Sequence, residues 1–481
     1  MKNIISLIAV LFLYSGIYAQ NETDALRYSE TEFGGTARYM GVAGAFGAVG
    51  GDFSSLSSNP AGMGFYRSSE FSISPIIHQS ITNSFFLGIN NEDSKYNIAL
   101  QNVGVVLALT TNKKNSDWNN FQFGIGKNRL KNFNNRIYTE GYNRNNSLLT
   151  SYVDYANNNG YPKAPENMNP FDTYLAWETD LLYDSDTTDA YFWAADMPNG
   201  DIMQRQLTKT KGYIDELTIS FSGNYKNKIY IGGTIGVPTI DYTRSSVYKE
   251  FDTQNNSDYF NSLSKTESLH TTGTGINLKL GIIFRPTQWL RIGAAYHSPT
   301  FYSDMKDSWS ANMTSSFDNG DIYSSSTPRG TYNYELTTPM KFIGSVAFFI
   351  KQQGFISIDY ETVDYSNAHL NADGGDFTDA NNIINNDYST QDNLRIGGEW
   401  RFDNFYFRGG YAIYNSAAYE DATKTFSTMG IGYKTQSFSV DIAYINSTYD
   451  SKDYIYDSYY VDPANNTIET NQIVLTLTHR F

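Results

Sequence analysis

Period-two alternation runs through most of this chain, and few folds can accommodate so much of it. Val103, Val105, Leu107 and Leu109 form one apolar series. Leu217, Ile219 and Phe221 form another, set against Glu216, Thr218 and Ser220. Ile276, Leu278, Leu280, Ile282 and Phe284 oppose Asn277, Lys279 and Gly281. Spacing of this kind puts successive side chains on opposite faces of a β-strand. Counted from Phe71 to Phe481, about fourteen such segments occur, an even number within the range of membrane β-barrels. Many extend to roughly ten residues, the length needed to cross a bilayer at a tilt, whereas strands of soluble sandwiches average about 5–6.

One face of these segments is apolar, aromatic or Gly. The other carries Glu216, Lys279, Arg291, Asp359, Glu361, Arg395, Glu399, Arg408 and Asp441. A charge facing lipid at mid-membrane costs about 2–4 kcal/mol, so the charged face is expected to line a lumen. Connections sort by parity. Short turns are expected around Lys226, Pro286, Gln352, Asp403 and Gln436, and long polar loops at 128–211, 245–272, 303–336, 367–390 and 451–469. A connection at about 111–117 is longer than its short siblings. Short turns on one side and long loops on the other is the asymmetry of outer-membrane barrels.

Composition agrees. Mean hydropathy is -0.45, yet aromatics reach 16%, with 39 Tyr and 30 Phe. Alternating strands hide from windowed hydropathy, while aromatic girdles mark both membrane interfaces. There is no Cys, which removes disulfides, thiol nucleophiles and Cys metal sites. A net charge of -15 argues against nucleic acid as a partner.

The chain starts Met1-Lys2-Asn3, continues with an apolar run from Ile4 to Tyr14, and reaches Ala19 before Gln20. This reads as a secretory signal peptide over residues 1–19, its apolar run being shorter than the roughly 20 residues of a membrane-spanning helix. Residues 33–66 follow, rich in Gly, Ala and Ser, with Arg38 and Asp52 as their charges. Such glycine density suits close backbone packing in a confined space. Asn59-Pro60-Ala61-Gly62 reads as a tight turn. The expected organisation is a leader (1–19), a plug inside the lumen (20–69) and the barrel (70–481).

Several of these residues carry a resemblance. Gly35-Thr36-Ala37-Arg38 through Gly41, Gly44-Ala45-Phe46, Asn59-Pro60-Ala61-Gly62, Tyr296-His297-Ser298-Pro299, Thr338-Pro339 and Asp359-Tyr360-Glu361 resemble the long-chain fatty-acid and aromatic-hydrocarbon transporters of the Gram-negative outer membrane. The resemblance implies a fourteen-stranded all-β barrel with an N-terminal hatch, binding of hydrophobic small molecules from outside, and a lateral path through the wall. Asn59, Pro60, Ala61 and Gly62 are then the gate. Lys279, Arg291 and Lys341, placed by face, are candidates to hold a substrate carboxylate. Phe481 ends a well-formed strand, as in barrels handed to the assembly machinery, and lipid is the surrounding partner. The longest loop here follows the third strand, whereas in the best-known fatty-acid members the long substrate-gathering loops come later.

Other chemistry finds little support. His78, His270, His297, His369 and His479 are scattered, with no pair at helical metal-ligand spacing. Asp373, Asp376 and Asp379 lack the calcium-loop order. No phosphate loop, triad or zinc-protease motif occurs, so neither a cofactor nor an enzyme is expected. Two alternatives use the same barrel, for protein export or for surface adhesion.

Overall fold

The computed structural model describes residues 21–110, 117–157, 163–186, 191–197, 199–418 and 422–481. The expected leader at 1–19 lies outside them, as does the connection at 111–117 apart from Asp117. The wall is a closed antiparallel barrel of fourteen strands. They are Glu70–Phe86, Ile89–Thr110, Trp118–Asn132, Ile202–Tyr225, Ile229–Phe251, Phe260–Phe284, Leu290–His297 continuing as Phe301–Phe317, and Gly330–Thr337 continuing as Lys341–Ile350. Gly354–Asp364, Thr390–Phe402, Phe405–Asn415, Thr423–Lys434, Phe438–Asp453 and Ala464–Arg480 complete the circuit. The last strand pairs with the first, from Glu70↔Arg480 to Phe85↔Asn465. The circle is closed, so the wall strands have their backbone groups paired on both sides, apart from one stretch of the second strand.

The alternation read from the sequence is the alternation of the wall. Outward side chains are apolar and exposed, among them Leu217, Ile276, Leu278, Leu280, Ile282, Ile396 and Leu477. Phe284, Trp289, Phe348, Trp400, Phe402, Phe405, Tyr433 and Phe438 ring the short-turn end, and Phe301, Phe342, Tyr360, Tyr411 and Tyr444 ring the other. An apolar band between two aromatic girdles is a membrane-spanning surface. No helix among the described residues is long and apolar enough to cross a membrane. The inward face buries Glu216, Lys279, Asp359, Glu361, Arg395, Glu399, Arg408 and Asp441. Leu278→Lys, at mid-band, is expected to destabilise the barrel by about 2–4 kcal/mol, measured by urea unfolding in thin-acyl-chain bilayers.

The expected turns at Lys226-Asn227 and Asp403 are present, with φ of 52°, 54° and 55°. Pro75 sits at a bulge, where the register slips between Ser74 and Pro75. Two of the expected long loops need correction, because most of their length is strand. Strands Ile229–Phe251 and Phe260–Phe284 consume nearly all of 245–272. Phe301–Phe317, Ile322–Ser326 and Gly330–Thr337 fill 303–336. These extensions stand beyond the lipid, so neither face needs to be apolar. Their Ser, Thr and Tyr form ladders without the apolar alternation that marks the band.

Segment 128–211 differs from these. It carries strand Asn135–Asn143 and helices Leu148–Asn157 and Thr173–Glu178. Leu149, Leu175, Leu181, Leu182 and Trp193 pack there with Tyr248, Phe260, Met313 and Ile455 into an apolar core outside the membrane band. Segment 367–390 holds helix Thr378–Asp387, and Asp376 accepts from the Thr378 N–H at 2.8 Å.

Candidate functional site

Residues 33–66 pack against the inward face of the wall and touch strands around its circumference. Gly41 lies against Gly430, Val42 against Gly397 and Gly410, Gly47 against Gly293 and Ser345, Phe53 against Gly104 and Gly126, and Pro60 against Gly232. A Cβ at Gly232, Gly293, Gly397 or Gly410 would collide with the segment's backbone, and one at Gly104 or Gly126 with the Phe53 ring. Polar bonds fix the segment's orientation. Arg38 grips Glu399 with both ends of its guanidinium, at 2.9 Å each. Glu399 also takes Arg408, which pairs with Asp441 at 2.7 Å. The N–H groups of Phe46 and Gly47 donate to the Asp359 carboxylate at 3.0 and 2.8 Å.

The Asn59-Pro60-Ala61-Gly62 element is buried. It opens a 3₁₀ helix, Pro60–Phe65, rather than closing as a simple turn. Asn59 caps that helix by accepting from the Ala61 N–H at 3.2 Å, and its amide donates to the Gly47 carbonyl at 2.7 Å. It thus ties two parts of the segment together next to Gly281 of the wall.

Above this element lies a chamber of about 100 Å³. Lys279 and Lys341 both line it; Arg291 does not. Lys279 is paired with Glu216, and Asn277 donates to the other oxygen of Glu216 at 3.2 Å. Lys341 and Arg395 share Glu361, each at 3.1 Å, and Lys341 also donates to Thr31 Oγ1 at 3.0 Å. His297 Nε2 lies 2.8 Å from the Ser58 carbonyl. Arg291 sits apart, its guanidinium 4.0 Å from the Phe65 ring centre and 3.9 Å from that of Phe349. It donates to the Val49 carbonyl, which gives it a holding role toward the segment. Glu32, also in the chamber wall, pairs with Lys424 at 2.6 Å. Burial raises its carboxyl, but Lys424 and Lys131 together hold it below the ordinary range.

Sequence reasoning did not locate a break in the wall. Strand Trp118–Asn132 bonds to Ile89–Thr110 only from Thr110↔Asn120 to Asn102↔Asn128. Further out, its register with the next strand slips between Arg129 and Lys131. Strand Asn135–Asn143 then pairs along 202–210 while lying on the inner face of the first hairpin. Ser80 and Thr82 donate to Asn135 Oδ1 there, at 2.7 and 3.2 Å. Residues 89–101 are left without that neighbour. The result is a groove of about 650 Å³ in the side of the barrel, bordered by Asn97, Ile98, Leu100, Arg129, Lys211, Tyr213 and Asp241. Two side chains bridge it: Gln101 Nε2 donates to the Arg129 carbonyl at 2.9 Å, and Lys95 Nζ to the Thr210 carbonyl at 2.7 Å.

The cavities lie side by side and share walls. A vestibule of about 280 Å³ beside Lys424 and Tyr449 shares Thr31, Glu32 and Tyr414 with the chamber. The chamber shares Phe33, Gly34 and Leu130 with a narrow space behind Gln101. That space shares Arg129 with the side groove.

No protein-family model matches the chain, and no curated protein matches it by sequence. Solved structures do match. A Pseudomonas aeruginosa FadL homologue superposes with a TM-score of 0.56 at 12% identity, covering 94% of this chain and 99% of that one. The P. putida toluene transporter TodX gives 0.53 at 12% identity, with 94% and 99% covered. The CymD monoaromatic hydrocarbon channel gives 0.51 at 12% identity, with 93% and 98% covered. The fold is that of the FadL-type channels. At this identity the FadL-like fold is what the two groups share, and the side groove, the chamber and the N-terminal segment are described above from this chain's own residues.

Proposed function

We propose that this barrel carries hydrophobic small molecules across the outer membrane of a Gram-negative bacterium. The single observation that carries the reading is the row of adjoining cavities, running from a vestibule among the outer loops to a groove in the barrel's side. Residues 20–69 act as the plug: the wall glycines leave no room for a straight water-filled bore past residues 41–47. An apolar solute gains roughly 25 cal/mol per Å² of surface removed from water, and a side exit returns it to hydrocarbon without crossing the aqueous space below. The resemblance in fold to a monoaromatic hydrocarbon channel and a toluene transporter supports the same reading.

The chamber adds a preference. Its walls carry three cations, Lys279, Lys341 and Arg395, with the carboxylates Glu216 and Glu361, while Glu32 in the same wall is taken by Lys424. A chain with a carboxylate head fits this better than a bare hydrocarbon, the head taking over from Glu361 on Lys341. The barrel, purified in mild detergent, is expected to co-elute with acyl-chain lipids identified by mass spectrometry. It should bind a long-chain fatty acid saturably. Lys341→Met should weaken the acid by roughly tenfold, the worth of about 1.5 kcal/mol for a charged hydrogen bond, and leave its methyl ester unchanged. A preparation that holds no hydrophobic ligand and carries a secreted protein instead would replace this reading with protein export.

A further inference from the structure

The rim of the side groove reverses the charge of the molecule. The chain carries a net charge of -15, yet Lys95, Arg129, Arg136, Lys209 and Lys211 gather around this opening. Arg136 stands opposite Lys209 in the ladder, and the charges of Lys211, Lys209 and Arg136 all act on the Lys95 ammonium. Two of the nearby carboxylates are engaged, Asp93 with Arg136 at 2.8 Å and Asp215 with Arg129 at 2.7 Å, and Asp241 stands 3.5 Å from His270. Lys209 and Lys211 are exposed, and neither has an ion-pair partner among the described residues.

Their height matters. On the same strand, Leu217 and Phe221 face lipid, and Lys211 and Lys209 follow outward, beyond the apolar band. Across the groove, the facing lip presents Ile98 and Tyr96, 77% and 67% exposed. One lip is cationic and the other apolar, at the outer boundary of the membrane. Amphiphiles with an anionic head match that arrangement, and clustered lysines at a membrane boundary are a common way to hold lipid phosphate.

We propose that this rim is a binding site for the phosphorylated headgroup of an outer-leaflet lipid. Lys209 and Lys211 take the phosphate, and Ile98 and Tyr96 lie against the acyl chains. The bound lipid would seal the groove from the side until a solute displaces it. The site does not depend on which solute uses the groove.

The test is native mass spectrometry of the full-length barrel titrated with lipid A, with dephosphorylated lipid A and with inorganic phosphate. Phosphorylated lipid A is expected to bind wild type saturably. Lys209→Glu with Lys211→Glu should lower its occupancy at least several-fold. Lys209→Arg with Lys211→Arg should keep it, as should Lys351→Glu at the opposite end of the barrel. Heat-modifiable migration on gels confirms that each variant is folded. Equal occupancy in the charge-reversed variant overturns the proposal, and so does equal binding of the dephosphorylated lipid. Inorganic phosphate that displaces the lipid completely at matched concentration would show a free-anion site instead. None of these readouts uses uptake, so a failed transport reading and a failed lipid site are told apart.

Discussion

Replacing Gly397 and Gly410 together by valine is expected to raise the conductance of the barrel in planar bilayers by an order of magnitude or more. The two glycines face each other on neighbouring strands and both press on the same point of the N-terminal segment. A Cβ on Gly397 would lie 2.7 Å from Val42 Cβ, and one on Gly410 would lie 2.7 Å from the Ala43 nitrogen. Real carbon contacts do not come that close, so something must move. The wall cannot, because a continuous ladder holds both strands. The segment is held by fewer bonds, chiefly Arg38 to Glu399 and the Asp359 cradle. Ala43 already sits at a φ of 53°, which leaves the backbone there little freedom to adjust. The segment should therefore lift away at its narrowest approach and admit water. Conductance equal to that of wild type would mean that residues 33–66 are not the barrier.

The second large effect is expected at the side groove. The chain has no cysteine, so a single one can be introduced and modified cleanly. Asn97→Cys places a thiol on the groove, at a residue whose Oδ1 is buried without a hydrogen-bond partner. Coupling a bulky maleimide there should reduce uptake of a fluorescent long-chain fatty acid by an order of magnitude. The same reagent on Thr253→Cys, in an exposed outer turn, should leave uptake unchanged. Undiminished uptake after modification at residue 97 would send the solute out by another route, past the segment and into the space below.

The wall was legible because lipid imposes one rule on one face. Leu278 must be apolar and Lys279 must point the other way, and a run of such pairs can be read without any structure. The inward charges followed from the same rule. Beyond the band the rule lapses. Residues 245–251 and 260–272 are strand, but Ser262, Ser264 and Ser268 carry no apolar signal, and polarity alone resembles a loop. In segment 128–211 the sequence offers Trp177, Leu181, Leu182 and Trp193 as its main apolar content, without partners to assign.

The site was legible in residue type more than in geometry. Lys279 and Lys341 share a chamber as their faces require, whereas Arg291 has the same facing but lies lower, between two phenyl rings. Facing fixes direction from the strand and leaves height along the lumen open. The groove depends on a register slip near Arg129, and no single residue announces one. Gly212, at a φ of 120°, was the available clue.

The contacts of the N-terminal segment also set the order in which this molecule can be built. Ala37 donates its N–H to Thr476 Oγ1 at 2.7 Å, across 439 residues of chain, and Thr476 belongs to the strand that closes the circle. A segment that touches the inner wall on so many strands is hard to seat once the ring has closed. Enclosure and the joining of first strand to last are then a single late event. The sheet must curl around its own leading end, and the slow step of folding is the one that forms the contacts of greatest sequence separation.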